Sequence, residues 1–307
     1  MKRVLVTGAS GCVGRQALPL LVARGWDVHA VASKTTPPEG DGVRWHRADL
    51  LDRDQARAVV RTVQADAMLH LAWYIAPGRW AAAPENFDWV RASMELIQSF
   101  RTEGGTRLVS AGSCLEYDWS YGYCTEGRTP CAPHTTYGAC KHALQVVTSA
   151  LSRDGLTTAW GRIFFLYGPH EHPDRLVASV IRSLLAGEPA RTSHGNQVRD
   201  YLHAADIADA FVTLLESDLV GPINIASGQG VTLREIIQRL GALAGRPDLL
   251  RLGAVPAAPT DMPLVVADTT RLNTTLGWRP RIDLDSGLAS TLEWWRTQRG
   301  VARMETH

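Results

Sequence analysis

Residues Val6–Gly14 read VTGASGCVG. Gly8, Gly11 and Gly14 recur at every third position, directly between an apolar run, RVLVTG, and a helical pattern from about Val13 to Arg24. A strand, a glycine loop and a helix in that order can hold a dinucleotide. Glycine allows a tight turn and close backbone approach, and the helix N-terminus aims aligned N–H groups at a pyrophosphate. The GxxGxxG spacing departs from GxGxxG, so a plain glycine-rich turn is the competing reading. The flanking strand and helix favour the nucleotide, which makes Gly8, Ser10, Gly11, Cys12, Val13 and Gly14 candidate cofactor contacts.

Outward from this loop, strand and helix patterns alternate. WDVHAVAS, GVRWHRADL, ADAMLHLAW, TRLVSAG and LTTAWGRIF read as further strands, with helices over Asp52–Arg61 and Glu85–Arg101 between them. This spacing predicts an α/β fold: a Rossmann-type parallel sheet with helices on both faces and ligands outside the carboxyl ends of its strands. Beyond Pro169 the rhythm breaks, and Pro247–Asp268 is rich in Pro and Ala. Residues 1–168 are therefore expected to be mainly an NADP-binding Rossmann domain and 169–307 mainly a smaller C-terminal substrate-binding lobe, with 196–228 returning to the Rossmann domain.

The formal net charge of +1 over 307 residues gives no electrostatic handle on nucleic acid or anionic lipid. The N-terminal apolar run is quickly interrupted by Gly and Ser, and no later run reaches transmembrane length, so a cytoplasmic protein with no membrane partner is expected. Five cysteines, Cys12, Cys114, Cys124, Cys131 and Cys140, form no CxxC pair and no zinc spacing, and reduced, structural roles follow.

Two stretches carry chemistry. In HTTYGACKHA, Tyr137 precedes Lys141 by four residues, which puts both on one helical face, where an ammonium can favour a phenolate. A solvated Lys beside a packed Tyr is the bland alternative, although the chain has only three lysines, Lys2, Lys34 and Lys141. At the end of the second strand stand Ala32, Ser33 and Lys34, with no acid to accept hydrogen bonds from an adenosine ribose. Ser33 and Lys34 suit a 2′-phosphate instead, so NADP(H) is expected as cofactor, with NAD(H) as the alternative.

The chain resembles the extended short-chain dehydrogenase/reductases of the NAD-dependent epimerase/dehydratase group. The resemblance runs through TGASGCVG, ADL at Ala48–Leu50, LHLA at Leu69–Ala72, GSCLEY at Gly112–Tyr117, YGACK at Tyr137–Lys141, RIFFLYGP at Arg162–Pro169, RDYLHAADIA at Arg199–Ala208 and LGWRP at Leu276–Pro280. It implies that Asp49 binds the adenine amino group, that Leu50 lines its ring, and that Leu71, Ala72 and Trp73 pass beside the cofactor. It further implies a catalytic set of Ser113, at the serine of the family's SSxxVY, with Tyr137 and Lys141. Arg199 matches an arginine that contacts the diphosphate of a sugar nucleotide. Ser113, Cys114, His170, His172 and Arg199 are thus the expected substrate contacts. His170 and His172 lack a third ligand at diagnostic spacing, so no metal is expected. Similar proteins pair their two long helices, here Glu85–Arg101 and Thr136–Ser152, across a twofold axis, which implies a homodimer.

A phenol of pKa about 10 is a poor base unaided, so the implied chemistry needs Lys141 and the oxidised nicotinamide to stabilise phenolate, with Ser113 orienting the substrate oxygen. Cys114 and Leu115 stand where the family's dehydratases carry Asp and Glu, and neither can replace that acid/base pair. The expected activity is NADPH-dependent reduction of a nucleotide-linked keto-deoxysugar, at C4. The alternatives are an NAD-dependent nucleotide-sugar 4-epimerase and a non-catalytic nucleotide-binding regulator.

Overall fold

Residues 1–34, 42–76, 78–152, 155–258 and 261–304 are described by the computed structural model. The first half runs β1 (Arg3–Thr7), α1 (Cys12–Ala23), β2 (Asp27–Ala32), β3 (Val43–Arg47), α2 (Arg53–Val63), β4 (Ala67–His70), α3 (Glu85–Thr102) and β5 (Arg107–Ser113). β6 (Tyr123–Cys124), α4 (Thr136–Leu151), β7 (Thr157–Ile163), β8 (Phe165–Tyr167), α5 (Leu176–Ala186), β9 (Ala190–Thr192), β10 (Val198–His203) and α6 (Ala204–Glu216) follow. The chain then forms β11 (Gly221–Ile225), β12 (Gly230–Thr232), α7 (Leu233–Leu243), β13 (Leu250–Leu252), β14 (Leu264–Ala267), α8 (Thr270–Thr274) and α9 (Leu284–Met304).

Seven strands make one parallel sheet in the order β11-β7-β5-β4-β1-β2-β3. The period of two in β1 decides which layer each side chain joins. Val4 and Val6 pack with Leu18 and Leu21 of α1 and with Ile207 and Phe211 of α6. Leu5 turns to the other face, among Val59 and Val60 of α2, Leu96 and Ile97 of α3 and Leu144 of α4. Both faces are thus covered, and the Rossmann-type α/β expectation holds. Strand order reverses between β1 and β4, so the crevice beyond their carboxyl ends is the place for a ligand.

Caps fix where helices start. The Asp52 side chain accepts from the Asp54 and Gln55 amides and begins α2; Thr135 accepts from Gly138 and begins α4. A second sheet, β12-β10-β14-β6 with β8 on β10, and the pair β13-β9 lie outside the main sheet. α5, α7 and α9 form a separate apolar core through Val177, Ile181, Ile237, Leu240 and Leu288. No helix among the described residues is long and apolar enough to cross a membrane.

One carboxylate joins distant segments. Asp209 on α6 accepts from Arg24 Nη2 at 2.5 Å and from Trp278 Nε1 at 2.8 Å, while Arg24 also reaches Glu216 at 2.7 Å. Replacing Asp209 by Ala leaves a half-buried guanidinium and a buried indole N–H without this partner. The expected loss is about 3 kcal/mol of stability, read by urea unfolding.

Candidate active site

The N-terminus of α1 opens at the sheet's carboxyl edge. Gly11 is its cap residue and offers no side-chain hydrogen bond, so the first-turn amides are uncapped. A Cβ on Gly14 would lie 2.3 Å from the Gly8 carbonyl oxygen and 2.7 Å from Ala9 Cα, so only glycine lets the helix start this close to β1. Ser10 and Gly11 are exposed, Cys12 is half-buried and Val13 packs into the core. Cys12 Sγ also donates to the Pro169 carbonyl at 3.3 Å, tying the glycine loop to the segment after β8. Asp49 is exposed and Leu50 buried just past β3, and Ala72 lies buried beyond β4 between half-buried Leu71 and Trp73. This uncapped helix end and glycine cradle fit a dinucleotide pyrophosphate.

Ser113 ends β5 and is 5% exposed. Its hydroxyl accepts from the Leu115 amide at 3.2 Å as the chain enters a 3-10 turn over Cys114–Glu116. The first turn of α4 presses against that turn: a Cβ on Gly138 would lie 2.2 Å from the Leu115 oxygen. Tyr137, one residue earlier, is thereby brought beside the Ser113 side chain. Burial pushes the Tyr137 phenol above its ordinary range, and the Ser113 side chain opposes that shift. Lys141, one turn on, is buried; its Nζ donates to the Ala111 carbonyl at 2.8 Å and sits 3.9 Å from the centre of the Trp73 ring. Burial lowers its pKa to about 7, against a raising effect of Glu116. Trp80 meets the Tyr137 ring edge-on at 5.0 Å and Trp73 does so at 6.3 Å, so aromatic walls flank the phenol.

Behind the site, His70 at the end of β4 hydrogen-bonds Thr7 Oγ1 at 2.7 Å and Ser93 Oγ at 2.9 Å. Burial, reinforced by the Lys141 charge, brings its pKa down to about 3.

The expected substrate contacts are spread more widely. Arg199 on β10 is buried and forms an ion pair with Asp261, with its guanidinium 5.7 Å from the Trp119 ring and 5.4 Å from the Phe165 ring. Its neighbours in sequence are engaged elsewhere: Asp200 accepts from Ser227 and Gly228, and Asp206 from the Arg281 and Ile282 amides. Cys114 is buried, and desolvation pushes its thiol well above the usual range. His170 adopts φ 64° and lays its ring against Trp294, with centroids 4.8 Å apart; His172 is exposed and accepts from the Asp174 amide at 3.2 Å. The two histidines therefore have different partners.

Residues 4–226 match the NAD dependent epimerase/dehydratase family. The chain belongs to that family. The UDP-glucose 4-epimerase of Streptomyces lividans is 26% identical to it over 320 residues, spanning 95% of each chain. The Thermus thermophilus UDP-glucose 4-epimerase, solved in complex with NAD, is 26% identical and superposes with a TM-score of 0.83 over 96% of this chain and 99% of its own. MoeE5, solved with UDP-glucuronic acid and NAD, is 29% identical with a TM-score of 0.83, again over 96% and 99%.

These relatives overturn the expected NADPH-dependent reduction of a keto-deoxysugar and the NADP(H) assignment behind it, because members of this epimerase/dehydratase family with the same architecture hold NAD. The physical reason lies at the end of β2. Ser33 and Lys34 are exposed there, and residues 35–41 lie outside the described residues. A serine hydroxyl accepts from a ribose hydroxyl as readily as it donates to a phosphate, and a solvated ammonium does not require an anion. The missing acid removed one argument for NAD without supplying one for NADP.

Several residues of this family member escaped the sequence reading. Glu116 was visible as the acid at the valine of SSxxVY, and its meaning was not. Asp261 and Trp80 reach the site only through the tertiary fold. Glu171, which the sequence places between His170 and His172 in a polar stretch, is 4% exposed with its Oε2 unpartnered, and burial pushes it up to about 8.

Replacing Tyr137 by Phe keeps the ring packing against Trp73 and Trp80 and removes the hydroxyl. With Tyr137 as the proton carrier that the family resemblance implies, turnover is expected to fall by about a hundredfold or more while dinucleotide affinity stays within a few-fold, measured by steady-state kinetics and a separate cofactor titration.

Proposed function

We propose that this protein is an NAD-dependent nucleotide-sugar 4-epimerase. The observation that carries the reading is the side chains around Ser113. Tyr137 and Lys141 stand beside it, whereas Cys114 and Leu115 occupy the two following positions and cannot supply the acid/base pair of water elimination. Glu116, the next acid, is engaged by Arg162, Trp160 and the Ser113 amide. Oxidation and reduction at one sugar carbon need only the three residues present.

In this reading Tyr137 takes the proton of the sugar hydroxyl as hydride leaves the same carbon, and gives a proton back to the oxygen when hydride returns to the opposite face. Lys141 stabilises the phenolate, and Ser113 donates to the developing carbonyl oxygen. NAD supplies the hydride acceptor and later the donor. Gly8, Ser10, Gly11, Cys12, Val13 and Gly14 hold its pyrophosphate region, Asp49 and Leu50 its adenine, and Leu71, Ala72, Trp73 and Lys141 the nicotinamide half. Arg199 and the rings of Trp119 and Phe165 face the nucleotide of the substrate, and His170 and His172 line the rim on the sugar side.

Epimerisation consumes no external reductant. Purified protein is expected to carry oxidised NAD and to interconvert a nucleoside diphosphate glucose with its galactose isomer when no hydride source is added, followed by chromatography of the sugar nucleotides. A requirement for stoichiometric reduced nicotinamide would reject the proposal.

The same reading extends to assembly. α3 and α4 pack against each other and expose Phe87, Met94, Val146 and Val147. Pairing of this apolar face across a twofold axis gives a four-helix interface between two copies. Light scattering is expected to give a dimer mass, and a charge at Val147 (V147E) to shift it to the monomer.

A further inference from the structure

Glu116 sits at the third residue of the turn after Ser113 and is wholly buried. Its Oε1 accepts the Ser113 amide at 2.7 Å and Trp160 Nε1 at 2.8 Å, and its Oε2 accepts Arg162 Nε at 2.8 Å. With Ser113 Oγ accepting from Leu115, this closes a capping box around the serine. The valine of the SSxxVY pattern could make none of these bonds. The neighbouring sequence is fitted to the acid: a Cβ on Gly112 would lie 2.6 Å from Glu116 Oε1 and 2.0 Å from Trp160 Nε1.

The carboxylate is anchored from its far side. Arg162 Nη2 reaches Cys131 Sγ at 3.2 Å, and its guanidinium lies 4.5 Å from the Tyr117 ring centre. The Tyr117 hydroxyl donates to Asn224 Oδ1 at 2.8 Å on β11. Ser113 is therefore tied through Glu116 to both β7 and β11.

Electrically, Glu116 is paired with Arg162 on β7, and its other side-chain partner, Trp160, has its ring 6.0 Å from Lys141 Nζ on α4; the carboxylate charge also raises the pKa of the Cys114 and Cys131 thiols and of the Tyr137 phenol. Lys141 faces the rings of Trp73, Tyr137 and Trp160, neutral His70 and the Ala111 carbonyl. The charge acting in favour of its protonated form is that of Glu116.

We propose that Glu116 is a positioning residue of the reacting site: its carboxylate, tethered by Arg162, fixes the main chain of Ser113 beside Tyr137 and holds the Trp160 ring on the side of Lys141. The proposal rests on the reading of Ser113, Tyr137 and Lys141 as that site, and its first test needs no turnover. With three lysines in the chain, the Lys141 side-chain resonance can be followed in lysine-labelled protein, with Lys2 and Lys34 as internal references.

Lys141 should titrate near the about 7 set by burial and Glu116, and E116Q should lower that midpoint by about one pH unit or more. Because E116Q strands Arg162, the double variant E116V/R162M provides an apolar replacement of both charges, with thermal unfolding and circular dichroism reporting its fold. In either folded variant kcat at neutral pH should drop about tenfold or more, with KM and NAD affinity within about threefold. A Lys141 midpoint unmoved in folded E116Q, or an unchanged kcat in either folded variant, overturns the proposal. A shifted midpoint in a protein that turns over no nucleotide sugar supports the Glu116–Lys141 link and rejects the epimerase reading alone.

Discussion

The contact between the first turn of α4 and the turn that leaves β5 is the constraint on which the site depends. Gly138 has no Cβ, and any larger residue there would drive the helix off the Leu115 carbonyl. Since Tyr137 precedes that glycine and Lys141 follows one turn later, the approach sets where both polar groups end up. Ser113 receives Tyr137, and the Ala111 carbonyl receives Lys141. The parallel sheet matters to function chiefly because it delivers the end of β5 next to the crevice at the β1/β4 switch point.

Burying an ammonium in that place is costly unless its surroundings compensate. The compensation comes in layers: one carbonyl, the face of Trp73 and the field of Glu116. His70, close behind, stays uncharged and spends both ring nitrogens on Thr7 and Ser93. Burial lowers the Lys141 pKa to about 7, and Glu116 works against that shift, so its protonation depends on the groups packed around it.

Much of this was legible in the sequence. Glycines between an apolar strand and an amphipathic helix, and the alternation that follows, are local signals, and the main sheet obeys them. The second sheet was not readable because its strands are two to six residues long, too short for a periodicity. Tyr137, Lys141 and Ser113 could be named from spacing and resemblance, but Trp80 and Asp261 arrive from distant segments. The cofactor went astray for a different reason. An absent carboxylate at Ser33 and Lys34 is negative information, and solvated side chains on an exposed turn decide little about a phosphate.

Arg199 shows how an internal partner changes the way a ligand is met. Its charge is cancelled at short range by Asp261, and it lies beneath aromatic rings. Seen from several ångströms away, the pair is a dipole rather than a cation, so it cannot draw in a polyphosphate across a Debye length. Encounter would proceed at ordinary diffusive rates with little dependence on ionic strength. Under the proposed role of Arg199, discrimination among ligands lies in how long each one stays, as phosphate oxygens compete with Asp261 for the guanidinium and the flat groups stack.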